Sequence, residues 1–181
     1  GGEEREALRE AGQFWTPPWV ANAMVSYVLG KDVTEFFDPA VGGGAFLVAA
    51  RRWASQAGQA LELAGRELDP ASLVEARNAG VLESDLAQVE LRDFVLDPPA
   101  RSYPSIVANP PYIRHHRIPL ATKEILQGWA EARTGKRIDG RAGLHVHFLL
   151  RALDRLAESG RLAFILPADT FEGVFAPRVW S

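Results

Sequence analysis

The chain has 181 residues, of which 47% are hydrophobic and 24% charged, enough for one well-buried domain and too few for two ordinary ones. It contains no cysteine, which excludes disulfides, iron–sulfur clusters and thiolate zinc sites and suits a reducing, cytoplasmic setting. A formal net charge of −3 and a pI near 5.8 speak against tight nonspecific DNA binding by this chain acting alone, and no apolar stretch or leader-like start predicts a membrane span or a signal peptide.

In chain order, Glu3 to Glu10 is charged and reads as a solvated helix or frayed end. In Gln13-Phe14-Trp15-Thr16-Pro17-Pro18, Thr16 is placed to cap a helix that begins at Pro17 and runs through Val20, Met24, Val25 and Val28 to Gly30. Val33 to Phe37 is a brief β-prone run. Asp38-Pro39-Ala40-Val41-Gly42-Gly43-Gly44 follows it, and then a helical stretch from Ala45 to Ala57: strand, glycine turn, helix. Leu61 to Leu68 predicts a second strand, and Asp69-Pro70 caps and opens a helix through Arg77. Val89 to Phe94 predicts a third strand and Ile106 to Ala108 a fourth. Ile113 to Ala142 is polar, with one helix expected from Thr122 to Arg133. Leu144 to Ala157 carries apolar residues on one helical face and ends at Ser159-Gly160. Arg161 to Pro167 then reads as a central strand, apolar on both faces.

Strands alternating with helices predict an α/β fold with a doubly wound parallel sheet, where ligands bind beyond the carboxyl ends of the strands. Asp38, Glu67, Asp93 and Asn109 each close a different predicted strand, so one architecture brings all four to one edge.

Gly42 and Gly44 let the turn bend and let a ligand approach the backbone at a helix N-terminus. Glycine spacing alone would also suit a dinucleotide. Glu67, ending the next strand, can accept both hydroxyls of a ribose, whereas Asp38 would repel a pyrophosphate and suit an amino-acid ammonium group, which S-adenosylmethionine has. The bland alternative for Asp38 is a turn-stabilising Asx residue.

Asn109-Pro110-Pro111-Tyr112 puts an amide, two rigid prolines and an aromatic ring at a strand end. Neither proline carries an N–H, and their fixed φ holds nearby carbonyl oxygens in set directions. A planar exocyclic amine fits: one hydrogen to the Asn109 side-chain oxygen, the other to the Pro110 carbonyl, with Tyr112 stacked on the ring.

These segments resemble the amino-methylating DNA methyltransferases whose S-adenosylmethionine loop precedes the catalytic tetrapeptide, a group acting on adenine N6. The resemblance rests on Gln13 to Pro18, Asp38 to Leu47, Gly65-Arg66-Glu67-Leu68-Asp69-Pro70, Arg92-Asp93-Phe94, Asn109 to Tyr112 and Gly160 to Pro167, in family order along nearly the whole chain. It implies a Rossmann-like S-adenosylmethionine-dependent methyltransferase fold that forms one catalytic domain over residues 1–181, truncated at its C-terminus. The last strands of the usual sheet and the target-recognition domain would lie in a further segment or subunit. Thr16 would hold the methionine carboxylate, and Asp38, Pro39, Ala40, Gly42, Gly44 and Phe46 would surround the amino-acid end. Glu67 would bind the ribose, Leu68 would line the adenine, and Asp93 would accept from the adenine amine with Phe94 packed on its ring. The partner would be double-stranded DNA with a flipped adenine, in a restriction-modification or related defence setting, with no metal and no membrane. The family's second base-stacking aromatic is not placed, although Phe171 and Phe175 lie near the expected position. A glutamine amide in a protein or an amino group in RNA would present the same planar group, and a noncatalytic subunit could retain the fold.

Two weaker signals remain. His115-His116 and the pair His145 and His147, two apart, read as polar surface or satisfied packing rather than metal ligands. Arg114, Arg117, Lys123, Arg133, Lys136, Arg137 and Arg141 suit a solvated loop as often as contact with DNA phosphates, and the segment's place beside the expected catalytic edge tilts the reading toward phosphate contact.

Overall fold

The computed structural model of the chain describes residues 15–168 and Thr170. The expectation for Glu3 to Glu10, the start of the Gln13 segment, and Phe171 and Phe175 all lie outside the described residues.

Five strands form one parallel sheet: β1 (Glu35–Asp38), β2 (Glu62–Glu67), β3 (Val89–Leu91), β4 (Tyr103–Ala108) and β5 (Leu156–Phe164). They stand in the order β3-β2-β1-β4-β5, every neighbouring pair parallel. The chain builds outward from β1 in one direction through β3, then returns to β1's other side for β4. That reversal lies between β1 and β4, and a doubly wound sheet opens its ligand crevice there.

The helices are α1 (Pro18–Val28), α2 (Ala45–Ala57), α3 (Pro70–Asn78), the short α4 (Glu83–Leu86), α5 (Leu120–Thr134) and α6 (Leu144–Asp154). Successive strand residues face opposite sides, so the neighbours Phe36 and Phe37 feed two cores. Phe36 packs with Val25, Val28, Leu47, Leu63 and Val107 under α1 and α2. Phe37 packs with Phe94, Tyr103, Ile106 and Phe148 under α6, its ring stacked on Tyr103 at 4.3 Å. Burial on both faces explains why these strands show apolar runs rather than alternation.

α2 spans the residues its pattern predicts, and Asp69 caps α3 as expected, its carboxylate accepting from Ala71 N–H at 2.9 Å. Elsewhere the boundaries shift. β4 starts at Tyr103, three residues before the expected Ile106; Pro104 reads as a breaker but sits where the β4–β5 register slips between Tyr103 and Ser105. α6 stops at Asp154 instead of Ala157, because Leu156 already pairs with Tyr103. Ser159-Gly160 therefore lies inside β5, where Ser159 adopts φ 62°, and ends no helix. β5 is also the outer strand of the described sheet and only half-buried, against the central position its apolar run suggests. The polar stretch after Tyr112 is more ordered than its composition implies: Leu126 and Ala130 of α5 are buried, and Ala130 joins Ile138, Ala142 and Val146 in a third small core.

Candidate functional site

The carboxyl ends of β1 and β4 flank the crevice. From β1 the chain enters Asp38, whose side chain is fully buried. One carboxylate oxygen accepts from Ala40 N–H at 2.9 Å, while the other finds no hydrogen-bond partner among the described residues. Burial lifts the Asp38 pKa to about 8, with the nearby Glu67 charge adding to the rise and the Ala40 hydrogen bond opposing it. A buried acceptor without a donor is costly, and an ammonium group is the ligand chemistry that would relieve it.

The turn beyond Asp38 is held from the neighbouring strand. Glu67, at the end of β2, accepts from Gly42 N–H at 2.7 Å through one oxygen and from Leu68 and Asp69 N–H at 2.8 Å through the other. Its carboxylate is thus the clasp of the glycine turn, and a ribose hydroxyl would use the remaining lone pairs. The two expected ligand-facing glycines divide in role. Gly42, at φ 51°, would bring a Cβ into ordinary contact only, 3.9 Å from the Ala40 backbone oxygen. Gly44, at φ 76°, has Val81 within 2.5 Å and Ala76 within 3.2 Å of a would-be Cβ, so it serves close packing under α2 rather than ligand approach. Gly65, which sequence reading left as a mere neighbour of Glu67, has the same need. A Cβ there would lie 2.8 Å from the backbone oxygen of Asp38 and 2.5 Å from Val41. Its signal was a glycine inside a predicted strand, which marks a close backbone approach.

Pro39 is buried beneath the turn and Ala40 half-buried within it. Phe46 is 3% exposed and belongs to the core with Leu47, so it supports the turn from below instead of offering a cofactor surface. Leu68 is well exposed, as a residue covering a nucleobase would be. Asp93 follows β3 and accepts from Val95 and Leu96 N–H, at 2.9 and 3.0 Å, both through Oδ1, which leaves Oδ2 outside these two bonds. The Phe94 ring is buried against Phe37 and Phe148, with centroids 5.7 and 5.5 Å away, and anchors the turn.

Thr16 also departs from expectation. Pro17 flanks α1 and no side chain caps it. The buried Thr16 hydroxyl instead accepts from the side-chain amide N–H of Asn109 at 3.2 Å, joining the approach to α1 with the end of β4. Asn109 is held at its other end as well: the Tyr112 hydroxyl lies 2.9 Å from Asn109 Oδ1 and 3.1 Å from the backbone oxygen of Ile165, just past β5. Partial burial pushes the Tyr112 phenol up to about 12, so it remains an O–H donor at every physiological pH. Its ring meets the buried His145 edge-on, centroids 5.9 Å apart. Pro110 is buried and Pro111 half-buried, which fixes the corner between amide and ring.

His147 is buried and burial lowers its pKa to about 4, with the charges of His145 and Arg151 adding to the effect, so it is packed as neutral imidazole. His115 and His116 contact each other edge-on at 5.4 Å. No cluster of three metal-binding side chains occurs among the described residues, and no described helix is long and apolar enough to cross a membrane. In the basic segment, Arg133 pairs with Asp154, Arg137 with the Gln127 amide and Arg141 with Asp139. Those three charges are engaged within the chain.

A parallel sheet with a glycine turn after β1, an acid clasping it from β2 and an amide corner after β4 defines a Rossmann-like methyltransferase fold. The chain belongs to the N-6 DNA methylase family, whose pattern matches residues 4–174. It is similar to the type II methyltransferase M.AccI of Acinetobacter calcoaceticus, 29% identical over 165 residues, covering 91% of this chain and 29% of that protein. M.XamI of Xanthomonas campestris pv. amaranthicola is 31% identical over 168 residues, covering 88% and 30%. The chain therefore spans about 30% of the length of these relatives. Among solved structures, the methyltransferase subunit of a type I restriction-modification system from Streptococcus thermophilus superposes with a TM-score of 0.67 at 21% identity, over 93% of this chain and 38% of that one. The M protein of the type I restriction enzyme EcoKI gives 0.64 at 19%, over 93% and 37%.

Proposed function

We propose that this chain carries the cofactor site and catalytic corner of an adenine-specific DNA methyltransferase that works in a restriction-modification setting and uses S-adenosylmethionine. The observation that carries the reading is the position of Asn109 at the sheet's reversal, its amide N–H on Thr16 and its oxygen directed to Tyr112, one strand from the unsatisfied carboxylate of Asp38. Type I and type II relatives and the family itself point to the same reaction class.

The residues present fit the cofactor. Asp38 Oδ2 would take the ammonium group, Gly42 and Ala40 leave backbone room beside it, Glu67 would meet the ribose, and Leu68 with Asp93 would receive the adenine. S-adenosylmethionine supplies, when bound, a methyl group on a positively charged sulfur.

The chain's own work is to prepare the nucleophile. Adenine's exocyclic nitrogen is weak because its lone pair is delocalised into the ring. Acceptance of one N–H by Asn109 Oδ1 and the other by the Pro110 carbonyl favours a more pyramidal nitrogen with a directed lone pair. Thr16 makes this specific: by accepting from Nδ2 it fixes the amide so that Oδ1, the acceptor, faces the substrate. The Tyr112 hydroxyl marks the place of the incoming amine, since it already donates to that oxygen. When an adenine occupies the corner, the hydroxyl yields and the Tyr112 ring becomes a stacking surface, which offsets part of the few kcal/mol needed to extrude the base. The methylated nitrogen is acidic enough to shed its proton without a strong base.

The test uses the full-length protein with labelled S-adenosylmethionine and double-stranded DNA. Asn109→Ala should keep cofactor affinity and lose about 100-fold or more in methyl transfer to adenine; turnover at the wild-type rate overturns the assignment.

A further inference from the structure

Arg151 is a buried guanidinium in the last turn of α6 that plays no part in the chemistry above, and a buried position is a costly place for a charge. Its Nε donates to the backbone oxygen of Val95 at 2.8 Å, and its guanidinium carbon lies 3.6 Å from the centre of the Trp129 ring on α5. Burial lowers its pKa, while attraction from Asp154 and from Asp93 acts in the opposite sense.

Val95 stands within the turn that begins at Asp93. That turn is folded around the Asp93 carboxylate by the Val95 and Leu96 N–H groups and closed by Asp97 N–H on the Asp93 carbonyl at 2.8 Å. It is tied to the helix beneath by apolar packing, with the Phe94 ring against Phe148, and by the Val95 carbonyl on Arg151. The first is apolar and directionless; the second is a charge-assisted hydrogen bond with a set direction. Lysine could not reproduce it, because it has neither the in-line Nε donor nor a flat face for Trp129.

We propose that Arg151 is a positioning residue for the cofactor's nucleobase: stacked on Trp129, it holds the Val95 carbonyl so that Asp93 Oδ2 meets the adenine amine. The inference rests on the assignment of Asp93 to the cofactor's adenine. It also gives the polar segment after Tyr112 a task, since α5 braces the adenine site from behind through Trp129.

The test is calorimetric binding of S-adenosylmethionine and of 5′-methylthioadenosine, which lacks the amino-acid end, to the full-length protein, together with methylation rates at saturating cofactor. Arg151→Met and Arg151→Lys should weaken both ligands by the same factor, about tenfold, and leave kcat within about twofold. A general loosening of the fold would instead lower kcat as well. Trp129→Leu, which keeps Arg151, should weaken both ligands by roughly threefold and decides the matter if the Arg151 variants do not fold. Unchanged affinity in the variants, or a loss confined to S-adenosylmethionine, overturns the role of Arg151 while leaving the methyltransferase reading intact. If the wild-type protein binds neither ligand, that reading falls and this inference with it.

Discussion

Asn109 Nδ2 donates to Thr16 Oγ1 at 3.2 Å across a separation of 93 residues. The bond makes the orientation of the proposed catalytic amide depend on a residue that the resemblance assigns to the methionine end of the cofactor. Thr16→Val keeps the shape and removes the acceptor, so the amide loses its preferred orientation. Single-turnover methylation should slow by about 10-fold, the worth of one hydrogen bond to a positioned group, and Thr16→Ser should restore most of it. Equal rates for threonine and valine at this position would show that the bond does not orient Asn109.

The raised pKa of Asp38 has a sign that can be worked out. The folded protein holds this proton up to about pH 8, the unfolded chain releases it near the ordinary carboxyl value of 3.8, so in that window the folded state binds more protons. Stability from this group is therefore complete at low pH and is lost as pH rises from about 4 toward 8. Asp38→Asn removes the loss, and in the absence of cofactor its denaturation curve at pH 8 should show a gain on the order of 2 kcal/mol over wild type. The ammonium group prefers the ionised carboxylate, so wild-type affinity for S-adenosylmethionine should tighten between pH 6.5 and 8.5, by about 10-fold at most, and Asp38→Asn should bind weakly with no such trend. A flat wild-type profile would contradict the ammonium assignment.

Gly65 lets the Asp38 turn lie directly across β2. Gly65→Ala places a methyl group against the backbone oxygen of Asp38, which cannot rotate away. Urea denaturation should show a loss of about 1–3 kcal/mol, with weakened cofactor binding because the Gly42–Glu67 clasp shifts. Gly58→Ala serves as contrast: unlike Gly65 it has positive φ, but it has open space around it, so backbone strain is tested there without a clash.

Tyr112 combines a hydroxyl that rests on Asn109 with a ring for the base. Tyr112→Phe removes the first and keeps the second, and its methylation rate should stay within about threefold of wild type. Tyr112→Ala removes both and should raise the KM for DNA by about 10-fold or more through lost stacking. Fluorescence of a 2-aminopurine at the target position would follow the extruded base directly. If phenylalanine proved as damaging as alanine, the hydroxyl and not the ring would be the working group.

Much of this architecture is decided by local chemistry. The Asp69-Pro70 start of α3, the extent of α2 after the glycine turn, and the placement of Asp38, Glu67 and Asn109 at strand ends follow from capping groups, proline geometry and apolar runs, all of which act over a few residues. Pairing across the sheet was hidden for a physical reason. Pro104 is compatible with β4 only because the register slips beside it, and Leu156 belongs to a strand only because Tyr103 is there to pair with it.

The chain's landmarks, an amide corner after one strand and a glycine turn after another, were written in the order of its residues. The tertiary structure alone decided which groups do which work. It set the Thr16 hydroxyl on the Asn109 amide and not at a helix cap, packed Phe46 and Phe94 in the core and Gly44 against Val81, and set Arg151 behind the Asp93 turn. Local propensity fixes where a polar group sits along the chain, but the direction of its lone pair or N–H is settled by partners many residues away, and only the packed sheet brings those partners within hydrogen-bond reach.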